Sequence, residues 1–165
     1  MATTALKGNP VNTVGDLPAV GSQAPGWDLV GDGLGQLTQA DSQGKRVVLN
    51  IFPSVDTGVC AASVRKFNEL ATSLDNTEVI NVSADLPFAQ ARFCGAEGIE
   101  NAKVGSAFRS PFGDDYGIKL ADGPMAGLLG RAVVVLDESG QVIHSQLVDE
   151  ITTEPDYDAA VAALS

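Results

Sequence analysis

The side chains able to act as nucleophiles or soft ligands are few: two cysteines, Cys60 and Cys94, and one histidine, His144. Cys60 closes the stretch NIFPSVDTGVC, with Thr57 one helical turn before it and Pro53 further back. The thiolate, not the thiol, is the nucleophile. A cysteine in the first turn of a helix lies among unpaired N–H groups at the positive end of the helix dipole, which favours the thiolate. The same position could simply begin an apolar stripe, where a free cysteine packs as a small hydrophobe. Position alone leaves both readings open. The Thr57 hydroxyl could face the sulfur and bond a second group, or it could cap the helix. Pro53 could shield a thiol or end a strand, and Ser54 and Asp56 in the same loop read as capping or site residues.

Cys94 lies well downstream on a different predicted helix, so the pair does not form the C-x-x-C of thiol carriers. Two separate sulfurs and one distant imidazole are too few soft ligands for a zinc site. Cys94 sits among Ala91, Phe93 and Gly95 and, taken alone, reads as core. His144 falls in the alternating run QVIHSQLV and reads as a solvent-facing strand residue. Arg131 opens the apolar run RAVVVL, where a charge ordinarily marks the exposed end of a strand. Gly31, Gly33 and Gly35 lack the spacing and the following helix of a dinucleotide loop and read as turns.

Positioning these residues requires an alternation of strands and helices. RVVLNIF is a near-continuous apolar run, as in a strand buried on both faces. Cys60, Val64, Phe67, Leu70, Ala71 and Leu74 then recur at helical spacing, with Asp56 or Thr57 as the cap. EVINVSA is a second buried strand. DLPFAQARFCGAEG is a short helix with Pro87 in its first turn and Gly95 or Gly98 at its end. A strand near Trp27 to Val30, a mostly looped middle, a hairpin through RAVVVLDESGQVIHSQLV and a closing helix in EPDYDAAVAALS complete the pattern. Gly8-Asn9 lies between two short runs and predicts an N-terminal hairpin. The order is a βαβα half, then a β-hairpin and a helix. It predicts an α/β fold of thioredoxin-like, three-layer plan with a central mixed sheet and helices on both faces.

At 165 residues with 44% hydrophobic content, the chain suits one domain, 1–165, with a substantial core. The balance of 21 Asp and Glu against 10 Lys and Arg argues against nucleic acid or an anionic membrane as partner. The opening MATTALKGNP has no charged segment followed by an apolar run, and no stretch approaches a membrane span. The expected location is cytoplasmic, where two cysteines are more often inert or redox-active than a permanent staple.

Pro53, Thr57 and Cys60 together spell P-x-x-x-T-x-x-C after a buried strand, which resembles the active-site signature of the peroxiredoxins. NIFPSVDTGVC, DLPFAQARFCGAEG, FGDDYGI and DGPMAGLLGRAVVV, in this order, and the opening LKGNPVNTVGDLPAVG, resemble the thiol peroxidase branch of that superfamily over essentially the whole chain. One departure is Gly58, where the branch usually has a second proline. The resemblance implies that Cys60 is the peroxidatic nucleophile, that Cys94 is the resolving cysteine of a Cys60–Cys94 disulfide, and that Arg131 is the active-site arginine. It further implies reduction of hydrogen peroxide and organic hydroperoxides without a cofactor or metal, recycling by a thioredoxin-like donor, and a homodimer. Phe88, Phe112 and Met125 are candidate apolar walls for the substrate. Two other classes compete: a peroxide-sensing thiol switch with little turnover, and a non-catalytic thioredoxin-like binding module with structural cysteines.

Overall fold

The computed structural model describes residues 1–165. A seven-stranded mixed sheet forms its centre, built on β5 (Arg46–Ile51), β6 (Thr77–Ser83) and β8 (Ala132–Leu136). All five residues of β8 are buried, as are all but the first of β5, which explains why both read as continuous apolar runs. β5 pairs in parallel with β6 and antiparallel with β8. The sheet extends through β7 (Lys103–Ser106), β3 (Asp28–Val30) and β4 (Gln36–Thr38) on one side and β9 (Val142–Leu147) on the other. β4 and β7 have no counterpart in the sequence reading. Both are short, and KVGS in β7 carries too little apolar character to show a period; β6 supplies its pairing.

The two faces of β5 divide the core. Val47, Leu49 and Ile51 point into a cluster with Trp27, Ile80, Val134, Tyr116 and Phe112, the last of these on the short helix α3 (Phe112–Asp115). Val48 faces the other way, onto Phe67 of α1 (Gly58–Ala71) and Ala160 of α4 (Tyr157–Ala162). Helices therefore lie on both faces. A third cluster at one end of the sheet joins α1 to α2 (Pro87–Glu97) through Phe52, Val64 and Phe93.

β1 (Thr3–Leu6) and β2 (Asn9–Asn12) form a separate hairpin, with its turn at Lys7-Gly8 rather than Gly8-Asn9. Both turn residues have positive φ, 51° and 84°, as a two-residue turn matched to strand twist requires. No helix is long and apolar enough to cross a membrane.

Candidate active site

Thr57 caps α1 and places Cys60 in its first turn. The Cys60 N–H donates to Thr57 Oγ1 at 3.4 Å, and that hydroxyl donates to the Ser54 carbonyl at 3.2 Å. Thr57 is thus the helix cap, and its hydroxyl proton goes to the Ser54 carbonyl rather than to the sulfur. The loop before the cap is pinned from a neighbouring strand end. Asp85 accepts from Ser54 Oγ at 2.7 Å and from the Val55 N–H at 2.9 Å, while Ser83 Oγ donates to it at 2.6 Å. The helix itself is tied to the sheet by polar groups inside the core. Asn50 Nδ2 donates to Asn81 Oδ1 at 2.9 Å and to Ser63 Oγ at 3.2 Å, and Ser63 Oγ donates to the Cys60 carbonyl at 2.8 Å. Buried polar groups linked in this way are costly to break, so the register of Cys60 against β5 is well defined.

Strand topology delivers Arg131. β8 runs antiparallel to β5 with Ala132 opposite Ile51, so the residue before β8 arrives beside the loop that follows β5. Arg131 is 2% exposed, not the exposed strand end that its position suggests. Its Nη2 donates to Cys60 Sγ at 3.0 Å and its Nε to the Ile151 carbonyl at 2.7 Å. Nη1 is buried and has no partner within the chain. A cleft of about 410 Å³ lies over these groups, lined by Pro53, Thr57, Val59, Met125, Arg131 and Ile151 among others. Cys60 itself is fully buried, packed with Phe52, Val55, Val64, Phe93 and Ile99. A buried guanidinium whose polar partners are one sulfur and one carbonyl is an electrostatic complement to a thiolate and retains a donor for an incoming oxygen.

Cys94 stands apart from this cleft. It is half-buried on α2, at the edge of the cluster that holds Cys60, and lines a second groove of about 620 Å³ with Asp32, Leu37 and Lys103. No disulfide joins the two cysteines. Burial pushes the Cys94 thiol up to about 11, with the Asp32 carboxylate adding to the shift. Two exposed ion pairs tie α2 to α1 and the loop before it, Arg92–Asp56 at 3.1 Å and Arg65–Glu97 at 3.3 Å. Asp56 is thus occupied with Arg92 and Ser54 with Asp85, and neither lines the cleft.

Among the expected apolar walls, only Met125 lines the cleft. Phe112 is a core residue stacked on Tyr116, and Phe88 is 68% exposed on the outer face of α2. His144 is half-buried rather than solvent-facing. Desolvation lowers its pKa, and its Nε2 is enclosed without a partner. Asp85, Asn50 and the Ile151 carbonyl escaped the sequence reading. Only Asp85, beside the Pro87 that starts α2, left even a local trace. No three His, Cys, Asp or Glu side chains converge to hold a metal ion.

Residues 19–161 match the family model described as Redoxin. A thiol peroxidase from Corynebacterium glutamicum is 60% identical over 165 residues, covering 100% of both chains. One from Mycobacterium tuberculosis is 59% identical over 164 residues, 99% of each. Among solved structures, a peroxiredoxin-like protein from Aquifex aeolicus superposes with a TM-score of 0.94 at 40% identity, covering 99% of this chain and 96% of that one. The thiol peroxidase from Chromobacterium violaceum shares the fold, with a TM-score of 0.91 at 21% identity over 98% and 94% of the two chains.

Proposed function

The chain belongs to the redoxin family, and from that premise we propose that it is a thiol-dependent peroxidase whose nucleophile is Cys60 and whose resolving thiol is Cys94. The observation that carries this reading is the Arg131 fork, with Nη2 3.0 Å from Cys60 Sγ and Nη1 buried without a partner, in a residue that lines the cleft. Cys60 thiolate attacks the terminal oxygen of a hydroperoxide. The O–O bond breaks, the sulfur keeps one oxygen as sulfenic acid, and the leaving oxygen takes a proton to depart as water or an alcohol. In this reading Nη1 meets the charge that develops on the oxygens, the Thr57 hydroxyl joins it by turning its proton from the Ser54 carbonyl, and Pro53 walls the thiol from bulk water. The Cys94 thiol condenses with the sulfenic acid, giving a Cys60–Cys94 disulfide and water. A thioredoxin-like dithiol then reduces that disulfide by exchange, itself becoming oxidised.

The mixed lining of the cleft, with Leu6, Val59, Pro124 and Met125 beside Arg131, suits organic hydroperoxides as well as hydrogen peroxide. The sensor reading is not favoured, because the relatives that match along the full chain are peroxidases. Two free cysteines suit a reducing compartment, which supports the cytoplasm as the site of action. We further infer that the chain acts as one domain, 1–165, and as a homodimer through the exposed side chains of Leu86, Phe88 and Phe108.

The test is a matched pair of variants assayed with hydroperoxide, thioredoxin and its reductase. Cys60→Ser is expected to abolish peroxide consumption. Cys94→Ser is expected to complete one turnover and then stall. Full activity in Cys60→Ser would overturn the mechanism.

A further inference from the structure

The Ile151 carbonyl that holds Arg131 Nε is itself held by the N-terminal hairpin, which lies outside the central sheet. Ile151 donates its N–H to the Ala5 carbonyl at 2.8 Å. Thr4 Oγ1 donates to the carbonyls of Val148 and Asp149 at 2.7 and 3.1 Å. Between them the Glu150 carboxylate bridges two turns. Oε1 accepts from the Gly8 N–H at 2.8 Å, and Oε2 accepts from the Lys7 N–H at 3.1 Å, the Thr152 N–H at 3.0 Å and Thr152 Oγ1 at 2.9 Å. Four donors on one carboxylate hold it ionised, with its pKa down to about 2, the Thr152 and Gly8 N–H bonds leading. Leu6, Lys7, Ile151 and Thr152, which flank this carboxylate on both of its turns, line the cleft.

We propose that Glu150 is a positioning residue for peroxide reduction: by clamping the Lys7-Gly8 turn to residues 150–152, it fixes the Ile151 carbonyl that aims Arg131 at Cys60. The inference rests on the reading of Arg131 as the group that serves the Cys60 thiolate. It assigns the N-terminal hairpin a part in catalysis that hairpin packing alone does not require. A guanidinium held at two nitrogens is directional, so slack in the carbonyl at Nε swings Nη1 and Nη2 away from the sulfur and the substrate oxygen. Small misplacements at a reacting centre cost up to about 100-fold in rate.

The experiment compares the wild type, Glu150→Gln, Arg131→Gln and the double variant as full chains. Single-turnover peroxide consumption is followed across pH, and amide hydrogen exchange is followed at Lys7 and Gly8. Glu150→Gln keeps the size of the side chain but replaces one acceptor oxygen with a donor. It should speed exchange at Lys7 and Gly8, slow peroxide consumption by about 10- to 100-fold and move the acid limb of the pH–rate profile upward. In the Arg131→Gln background the same change should alter the rate by less than about twofold, since coupled groups are not additive. Faster exchange at Lys7 and Gly8 with an unchanged rate and profile would overturn the inference while leaving the role of Arg131 intact. Additive losses would also overturn it, because Glu150 would then act by another route. If Arg131→Gln itself retains full rate, the reading of Arg131 falls and the inference falls with it.

Discussion

Arg131 is a buried cation that forms no ion pair with a carboxylate; its polar partners are the Ile151 carbonyl and the Cys60 sulfur. Such a charge is expensive to bury unpaired, and the thiolate form of Cys60 that the proposed mechanism uses would be its counterion. Cys94 occupies the contrary environment. Its thiol is desolvated and has the Asp32 carboxylate nearby, which together push it up to about 11. The proton therefore stays on Cys94 at neutral pH, and its thiolate fraction grows tenfold per pH unit until that value is reached. In the reduced, folded protein, alkylation at Cys94 should keep rising by about tenfold per unit from pH 7 to 10, whereas the unfolded chain should level off near the free-thiol value of about 8.5. Mass spectrometry of the Cys94 peptide after timed quenching reads both curves. A plateau near pH 8.5 in the folded protein would show that the thiol is not desolvated in solution.

At the scale of elements, the start of α1 carries the site, and Gly58 is its first residue. Proline is favoured at that position because the N–H has no helical acceptor, and the Gly58 N–H donates to no group of the chain. Thr57 already has the extended conformation that a following proline demands, with φ −108° and ψ 146°, and a Cβ at residue 58 meets nothing within 4 Å. Gly58→Pro should therefore stabilise the protein by about 0.4–1 kcal/mol through the unfolded state. That amounts to a rise of roughly 1–4 °C in Tm by calorimetry. A fall in Tm would mean that the loop needs the glycine. α2 is the looser element: no side chain caps its start, Gly98 ends it in the left-handed region, and exposed ion pairs of small individual worth tie it down. In the proposed mechanism, local unwinding there would be the route by which Cys94 reaches Cys60. These two helices were legible because their signals are local: an apolar period, a Thr cap, a Pro at one end and a Gly at the other. The partnership of Arg131 with Cys60 was legible only through a motif. Asp85, Glu150 and the Ile151 carbonyl act through contacts between distant segments, often by backbone atoms, and leave no pattern along the chain. Phe88 and Phe112 are alike in type, so sequence could not tell that one is core and the other exposed.

For the molecule as a whole, the apolar surface and the net charge oppose each other. Leu86 and Phe88 at the start of α2 and Phe108 just past β7 are 52%, 68% and 44% exposed, in segments that follow the neighbouring parallel strands β6 and β7. These exposed apolar side chains, at the ends of adjacent strands, are the proposed contact surface. A second copy is the proposed occupant, and each copy brings a net charge of −11. Long-range repulsion between like chains weakens with salt, since screening shortens from roughly 30 Å at 0.01 M to roughly 8 Å at 0.15 M. Self-association should therefore tighten over that range of ionic strength, the reverse of an interface held by opposite charges. Phe88→Glu places a charge in the patch and should give a monomer under both conditions; because Phe88 contributes little to the core, it should lower Tm only at protein concentrations where the wild type is dimeric. Sedimentation equilibrium at two salt concentrations measures both effects. A wild-type protein that stays monomeric at about 100 μM, well above the Kd of a specific interface of standard size, would remove the dimer from this account.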